Sequence, residues 1–378
     1  MKVALVHDYL KEYGGAERVL EALHEIWPEA PVYTAYYDPK GLGVNASKFK
    51  DWKIKTSWLQ NLPFAGKLIS PFRIIAPKIF EGFDFSEYDL VISSCNIYFS
   101  KAVTAKKSIS YIHTPPRYLY GYTTSFNYKK RWWTRVVAEV VNHYLRVVDF
   151  ETSQRPDLLI ANSKNVKERI KKFYRRDAEV IYPPADVEEL LKVKKQKGRY
   201  FLTLNRLSRG KGTEVAVAAC SKLELPLKVA SSGAELSNLK KIAGKSIEFE
   251  GEITEEEKAK IFSEAIALIA CSEDEDFGIS VVEAQAAGVP VIAAKTGGHL
   301  ETVIPGKTGE FYTPGLLGDY KTYVDPVSVD NLTDVLEKFS PAKYKQSHTS
   351  YKDSDLRGNA KKFSKENFKK KILEIAVK

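Results

Sequence analysis

The most constraining feature of the sequence is a strand-turn-helix-strand unit in its second half. A short apolar run over 265–270 predicts a buried strand, and the run over 289–293 predicts another. Between them, Gly278 precedes a helix of small residues that ends at Gly288. Two sequential strands joined through a helix run parallel, so this segment predicts a parallel sheet with helices packed on its faces.

Two glutamates, Glu275 and Glu283, flank the turn of this unit with seven residues between them. Backbone N–H groups at a helix start can hold a phosphate, and a glycine there allows close approach. Here the groups belong to Gly278, Ile279, Ser280 and Val281. Glu283 has the wrong charge for that phosphate and would accept hydrogen bonds from hydroxyls such as those of a ribose. The alternative is a solvated carboxylate that the helix dipole stabilises.

A second loop of this half places cations after a strand. The strand predicted over 200–205 is followed by Arg206, two further cations and two glycines, up to Gly212. Cations on a glycine-containing loop at the carboxyl end of a strand suit a diphosphate. We therefore expect Arg206 and Lys211 to bind one, with an exposed charged loop as the alternative.

The first half also has ligand-site signals at the ends of predicted strands. The N-terminal strand is followed by Gly14 and Gly15, which open an amphipathic helix but form neither a dinucleotide fingerprint nor a P-loop. They allow close approach to a ligand, or they make an ordinary strand-helix turn. Another strand, over 108–112, ends at His113, from which a side chain could reach a ligand. Arg117 could hold an acceptor's phosphate or be solvated at the surface.

Strands and helices alternate through both halves of the chain. This alternation predicts an α/β protein of two doubly wound, Rossmann-like parallel-sheet domains that face each other across a cleft. We place the domains at 1–185 and 186–358, followed by a C-terminal helix at 359–378 that packs across both. The apolar face of that helix is predicted to comprise Phe363, Phe368, Ile372, Leu373 and Ile375.

The charge of the chain is concentrated in its first half. The formal net charge is +10, and residues 1–180 carry 28 Lys and Arg against 19 Asp and Glu. This excess predicts an anionic surface or partner. Three scattered cysteines argue against a disulfide framework and against a zinc site. With no signal-like start and no apolar run of about 20 residues, they favour a cytoplasmic protein.

Basic residues alternate with aromatic and aliphatic ones over 49–80 and again over 128–133. This mixture suits an element that lies on the anionic lipid of a membrane. It suits equally the core of a substrate-binding subdomain. Nucleic acid is not expected as a partner, because no helix-turn-helix, zinc or RNA-binding signature accompanies the charge.

The spacing Glu275-x7-Glu283, with Phe277-Gly278 after the first glutamate, resembles the signature of retaining glycosyltransferases of family 4. The resemblance covers nearly the whole chain and implies a GT-B fold. It also implies that Glu275 contacts the donor sugar and that Glu283 contacts the ribose of the donor nucleotide.

Other segments extend this resemblance. Arg206 and Lys211 match the family's Arg-x4-Lys-Gly, whose cations neutralise the leaving diphosphate. The segment His-Thr-Pro-Pro-Arg-Tyr at 113–118 looks like mannosyltransferase-type members, in which this histidine lies by the donor sugar. By resemblance, the catalytic residues are His113, Glu275, Arg206 and Lys211; further donor contacts are Gly15, Glu252, Ile253, Phe277, Gly278, Ile279, Ser280, Val281 and Glu283; acceptor contacts are Gly14 and Arg117. We expect His299, near the donor site, at the surface.

The implied function is retaining transfer of a hexose from a nucleotide sugar, with GDP-mannose favoured over a UDP-hexose. The implied acceptor is a lipid-linked, anionic glycan precursor at the cytoplasmic face of a membrane. No metal is expected, although 273–276 are acidic, because the cationic loop and the helix start would supply the positive charge. The alternatives are a nucleotide-sugar epimerase on the same fold and a non-catalytic glycan- or lipid-binding protein.

Overall fold

The computed structural model of the chain describes residues 1–122, 132–315, 323–339 and 351–377. These residues form two compact units. Unit 1 contains the described residues of 1–184 together with 365–377, and unit 2 contains those of 185–364. The chain therefore passes from unit 1 to unit 2 and back again.

Unit 1 is built on a seven-stranded parallel sheet. In chain order its strands, β1 to β7, are Val3–His7, Val32–Thr34, Ile54–Thr56, Leu90–Cys95, Ser108–Ile112, Leu158–Ala161 and Glu179–Val180. Their order in the sheet is β3-β2-β1-β4-β5-β6-β7, so the winding reverses between β1 and β4. The helices α1 to α6 are Gly15–Ile26, Pro39–Leu42, Ala65–Phe72, Ala76–Glu81, Trp132–Ser153 and Lys164–Tyr174.

Unit 2 is built on a six-stranded parallel sheet. Its strands, β8 to β13, are Tyr200–Thr203, Leu227–Val229, Ile247–Phe249, Ala265–Ala270, Val291–Ala294 and Gly309–Tyr312. Their order is β10-β9-β8-β11-β12-β13, with the reversal between β8 and β11. The helices α7 to α13 are Thr213–Lys222, Leu236–Ile242, Glu255–Ser263, Ile279–Ala286, His299–Thr302, Pro326–Phe339 and Asp353–Lys361, and α14, Lys365–Ala376, belongs to unit 1.

Short 3₁₀ helices complete the described secondary structure. They lie at Gly43–Phe49, Trp58–Asn61, Arg73–Ile75, Ser100–Ala102 and Leu190–Lys192. The strands are apolar because helices cover the faces of each sheet, and β4 is buried along its whole length. Two parallel, doubly wound sheets confirm the predicted α/β architecture.

The C-terminal helix differs from its prediction in position and in orientation. It begins at Lys365 rather than at residue 359, and the preceding α13 is a separate helix of unit 2. Phe368 and Ile372 are buried in the core of unit 1, where the Phe368 ring meets the Tyr111 ring edge-on at 5.8 Å. Leu373, predicted on the apolar face, is 42% exposed, so that assignment is wrong.

The basic-aromatic segment 49–80 contributes to the core and to the surface. Phe49, Leu59 and Phe80 are buried in unit 1, as a substrate-binding subdomain requires. Trp58 and Phe64 are 51% and 75% exposed. In the second such segment, 128–131 and the side chains of 132 and 133 lie outside the described residues. No helix in the described ranges has the length and hydrophobicity needed to cross a membrane.

Candidate active site

In unit 2, the loops after β8 and β11 lie where the winding of the sheet reverses, which is where open α/β sheets bind ligands. The loop after β8 contains Arg206 and Lys211 and leads into α7. Gly212 caps α7 with φ of 67°, and a Cβ there would lie 2.2 Å from the backbone oxygen of Cys271. Only glycine therefore fits where these two loops meet.

Lys211 and Glu275 are in direct contact across the two loops. Lys211 Nζ lies 2.8 Å from Glu275 Oε2, and the side chains are 33% and 17% exposed. Arg206 is exposed on the same loop as Lys211. The structure thus brings together residues 64 positions apart that the sequence assigns to a diphosphate and to a sugar. A partly exposed ion pair contributes little to stability, so it can open when a ligand offers both residues new partners.

The helix start predicted to hold a phosphate has a suitable backbone. Gly278 caps α10 in the left-handed conformation, with φ of 93° and no capping side chain. Ile279 and Ser280 form the first turn and are half-buried, whereas Val281 is buried. Val281 donates its N–H to the carbonyl of Gly278 at 3.1 Å, so the N–H groups from which an anionic ligand can accept are those of Ile279 and Ser280.

The turn before α11 packs tightly on the Glu275 segment. Gly298 donates its N–H to the carbonyl of Glu275 at 2.7 Å. A Cβ on Gly298 would lie 2.4 Å from Cα of Phe277, so the two backbones are in close contact. The Phe277 side chain is buried against Phe363, with ring centroids 5.2 Å apart. Of Phe277, only the backbone is therefore available for the predicted donor contact.

His299 lies inside unit 2, so its expected surface position is wrong. The side chain is 1% exposed, and Nδ1 lies 3.1 Å from the carbonyl oxygen of Ala294. Its Cδ2 would be 3.3 Å from a Cβ built on Gly278. Burial lowers the pKa of the imidazole, and the charge of Glu275 opposes that shift. The next residue, Leu300, is the one turned outward, with 53% exposure.

Glu283 is held by a buried lysine that sequence reasoning missed. It is 3% exposed, which excludes the alternative of a solvated carboxylate. Lys258 Nζ, on α9, lies 3.2 Å from Glu283 Oε1 and 3.0 Å from Glu255 Oε1. No local sequence pattern predicts this contact, because Lys258 is 25 positions from Glu283 and lies on another helix. The pair fixes the carboxylate that the resemblance assigns to the ribose.

Two of the predicted donor contacts, Glu252 and Ile253, lie in the loop after β10. Glu252 is exposed and accepts a hydrogen bond of 2.5 Å from the hydroxyl of Ser232, while Ile253 is half-buried. The carbonyl of Ser232 accepts the N–H of Leu207 at 2.9 Å, within the cationic loop. This side of the predicted donor site is therefore continuous with the loop that carries Arg206.

Carboxylates with raised pKa values lie beside the cationic loop. Burial raises the pKa of Glu214, in the first turn of α7, to about 7, and the charge of Glu273 adds to the shift. Burial also raises the pKa of Glu273. Among the residues with a described position, no group of three or more His, Cys, Asp or Glu side chains is placed to hold a metal ion. Metal independence stays a prediction.

In unit 1, the strands at the reversal of winding bring polar side chains together. His113 follows β5, and its Nε2 lies 2.8 Å from Oγ of Ser94 at the end of β4. The side chain is 8% exposed. Burial lowers the pKa of His113 to about 3, and the neighbouring His7 adds to the shift. The imidazole is therefore neutral near pH 7 and can donate or accept a hydrogen bond without carrying charge.

The predicted glycine loop is tied to β1 through Glu17. His7 Nε2 lies 3.3 Å from Glu17 Oε1, and Glu17 Oε2 accepts the N–H of Gly14 at 2.8 Å. Gly14 has an extended backbone, and Gly15 is the first residue of α1. Sequence reasoning missed His7, although it ends β1 just as His113 follows β5, and the same strand-end argument would have found it.

Asp8 organises the loop that follows β4. Its carboxylate accepts four backbone N–H groups at 2.7–3.0 Å, from Asn96, Ile97, Tyr98 and Ser100. Arg117, the predicted acceptor contact, is partly exposed after β5, and its carbonyl accepts the N–H of Tyr122 at 3.1 Å. The structure thus places Gly14, His113 and Arg117 in loops at the carboxyl ends of unit 1 strands.

Known proteins resemble the chain in sequence and in fold. Residues 187–346 match the model of the family described as glycosyl transferases group 1. The α-1,3/1,6-mannosyltransferases ALG2 of Mus musculus and Homo sapiens are 24% and 26% identical to the chain; each match covers 86% of this chain and 84% of the relative. The structure of Anabaena Alr3699/HepE in complex with UDP-glucose matches with a TM-score of 0.70 and 17% identity, covering all of both chains.

These findings confirm the resemblance on which the site was predicted. The structural match establishes the GT-B fold, and the family match falls on unit 2, where the paired glutamates and the cationic loop lie. The chain therefore has the GT-B fold of a glycosyltransferase, its residues 187–346 match the model of the group 1 glycosyl transferases, and over 86% of its length it is similar to mannosyltransferases.

Proposed function

We propose that this glycosyltransferase transfers mannose, with retention, from GDP-mannose to a hydroxyl of a lipid-linked oligosaccharide. The observation that carries the proposal is the similarity to α-1,3/1,6-mannosyltransferases over 86% of the chain. The sequence His-Thr-Pro-Pro at 113–116, which looks like mannosyltransferase-type members, supports it independently of unit 2.

The leaving diphosphate is proposed to bind between the cationic loop and the start of α10. Arg206 and Lys211 would supply positive charge, and the first N–H groups after Gly278 would supply donors. Negative charge develops on the leaving phosphate as the sugar departs, and donors fixed in advance stabilise that charge most effectively. The buried Glu283, held by Lys258, would accept hydrogen bonds from the ribose.

The contact between Lys211 and Glu275 suggests an exchange of partners when a donor binds. In the structure the two side chains contact each other at 2.8 Å. With a donor bound, Lys211 would turn to the diphosphate and Glu275 to the sugar hydroxyls. The cost of separating them is about 0–1 kcal/mol for a partly exposed pair, which a diphosphate readily offsets.

Transfer is proposed to take place on one face of the sugar. The bond from the anomeric carbon to the phosphate oxygen breaks as the bond to the acceptor oxygen forms, and the leaving phosphate takes the acceptor's proton. Glu275 and Glu283 are both assigned to donor hydroxyls, so neither is proposed as a nucleophile. Trapping a glycosyl-enzyme adduct on either carboxylate would contradict this mechanism. His113, neutral through burial, is proposed to contact the donor sugar.

Peripheral binding to the cytoplasmic face of an anionic membrane is part of the proposal. Trp58, Phe64 and Ile74 expose 40–75% of their surface in the basic segment of unit 1. On α5, Val136, Val140, Tyr144 and Val147 form a second exposed stripe at helical spacing. Apolar side chains among lysines suit the boundary between headgroups and acyl chains. Purified protein that ignored anionic liposomes at moderate salt would contradict membrane binding.

A ligand panel tests the donor. Calorimetry with GDP-mannose, GDP, UDP-glucose and UDP, without added metal, should show GDP-selective binding that Arg206→Ala and Glu283→Gln abolish. Lys245→Ala is the matched control, because Lys245 is an exposed cation at the amino end of β10, whereas the proposed site lies at the carboxyl ends of the strands. UDP selectivity would replace the mannosyl assignment by a UDP-hexose one. Conversion of the donor without any acceptor would favour the epimerase.

A further inference from the structure

The side chain of Arg73 in unit 1 has no partner that accounts for its charge. It follows α3 in the basic segment and is partly exposed, but its Nε is buried and has no hydrogen-bond partner. Its guanidinium carbon lies 4.5 Å from the centre of the Tyr118 ring. Within the described ranges, no carboxylate lies within ion-pair distance of Arg73.

Two more tyrosines, Tyr9 and Tyr98, lie within electrostatic reach of this guanidinium. Tyr9 follows β1 and meets the ring of Tyr98, after β4, edge-on at 5.8 Å. The Tyr98 hydroxyl is buried and has no hydrogen-bond partner. Burial raises the pKa of Tyr9, Tyr98 and Tyr118, and the Arg73 charge opposes the shift in all three. Arg73 therefore lies within electrostatic reach of three neutral phenols, at strand ends of unit 1.

The carboxylate of Asp8 does not neutralise this cation by direct contact. Its two oxygens already accept four backbone N–H groups of the loop after β4. A partly buried arginine without a hydrogen-bonded counterion costs free energy, and folded proteins rarely keep one. Such a group is typical of a site whose anion arrives with a ligand, since the guanidinium fork and phenol hydroxyls donate well to phosphate oxygens.

We propose that Arg73, with Tyr9, Tyr98 and Tyr118, binds the phosphate or diphosphate of the acceptor's lipid linkage. This inference rests on the proposed function, because it assumes a lipid-linked acceptor. Apolar surface for the lipid lies next to the cation. Ile74 is 40% exposed, and the half-exposed Trp58 packs edge-on against Phe72 at 6.0 Å.

The test compares two acceptors that carry the same glycan, one on an isoprenyl diphosphate and one on a neutral alkyl glycoside. Arg73→Gln should raise KM for the diphosphate acceptor about 10- to 100-fold, because a charge-assisted bidentate contact is lost. The kcat/KM for the neutral glycoside should stay within about two-fold. Lys78→Gln removes the same charge from an exposed position of the same segment and should leave both acceptors unchanged. Equal losses on both acceptors, or none on the diphosphate, would overturn the proposal.

A binding experiment separates this inference from the proposed function. Farnesyl diphosphate should bind the full-length protein in calorimetry, and Arg73→Gln should abolish binding without lowering Tm, since no ion pair is removed. This result would hold even if GDP-mannose were the wrong donor. Absence of binding to the wild type, or a lowered Tm of the variant, would overturn the site. Loss of phosphatidylglycerol-vesicle binding with unchanged farnesyl diphosphate affinity would assign Arg73 to bulk headgroups and also overturn it.

Discussion

The buried pair of Lys258 and Glu283 gives the sharpest energetic prediction for unit 2. Methionine in place of Lys258 keeps an unbranched side chain but removes the charge. The carboxylate of Glu283, which is 3% exposed, then lacks its cation. Breaking a buried ion pair from one side costs about 3–5 kcal/mol. The second partner of the lysine, Glu255, is 67% exposed at its side chain, so water replaces that contact at little cost. We therefore assign nearly all of the loss to Glu283.

A double variant separates the pair from the packing around it. Lys258→Met with Glu283→Leu removes both charges, and an apolar pair of similar volume is often as stable as the ion pair it replaces. We expect the double variant to recover most of the lost stability. The double variant should not bind nucleotide, because the ribose carboxylate is gone. It should therefore recover the free energy of unfolding but not nucleotide binding.

The distribution of tryptophan provides the assay. All five tryptophans lie before residue 134, so their fluorescence reports only on unit 1. Urea unfolding of unit 2 can be followed by far-ultraviolet circular dichroism, after subtraction of the transition that fluorescence detects. A loss below about 1 kcal/mol in Lys258→Met, or a double variant no more stable than the single one, would refute the argument that this pair is buried and dry.

Three further substitutions test other features. Lys101→Met should cost about 3–5 kcal/mol in fluorescence-detected unfolding, because Lys101 and Asp149 form a 2.5 Å pair that is almost fully buried, and a loss under 1 kcal/mol would refute it. Burial lowers the pKa of His113 from 6.5 to about 3 in the folded state, so the unfolded state takes up the proton first and stability falls as pH drops below about 6.5. His113→Gln should lose less stability over that range, and an unchanged pH dependence would contradict the burial argument. Gly212→Ala should weaken GDP binding at least tenfold, because its Cβ would push the cationic loop off the backbone of Cys271; Gly306→Ala, also at positive φ but in open space, is the control.

The alternation of short apolar runs with glycine turns was sufficient to predict two parallel sheets. It also placed Arg206, Glu275 and His113 after strands, because strand ends can be located without knowing what packs on them. The sequence pattern could not predict which side chains of a one-turn helix such as α11 point inward. His299 turns inward because the preceding glycines pack on the Glu275 segment, and that contact spans distant parts of the sequence.

Partners far along the chain were equally beyond sequence reasoning. The contact of Lys258 with Glu283 depends on how α9 packs beside α10, and neither helix signals it. Leu373 fits a helical apolar pattern but faces outward, because Phe368 and Ile372 already supply the face that α14 packs on unit 1. The lack of a carboxylate within ion-pair distance of Arg73 cannot be predicted from the sequence, because it depends on where the surrounding elements lie in three dimensions.

The return of α14 to unit 1 has a consequence for how the chain acquires its structure during synthesis. All of unit 2 leaves the ribosome before the helix that fills the core of unit 1 around Tyr111. Domains usually complete in the order of their synthesis. Here unit 1 is completed only after unit 2 has been synthesised. Until α14 is made, the apolar surface of unit 1 that this helix covers stays exposed. We expect a nascent chain of this design to need a chaperone, or rapid synthesis of unit 2, while this surface is uncovered, and a chain that ends before α14 should leave the core of unit 1 incomplete.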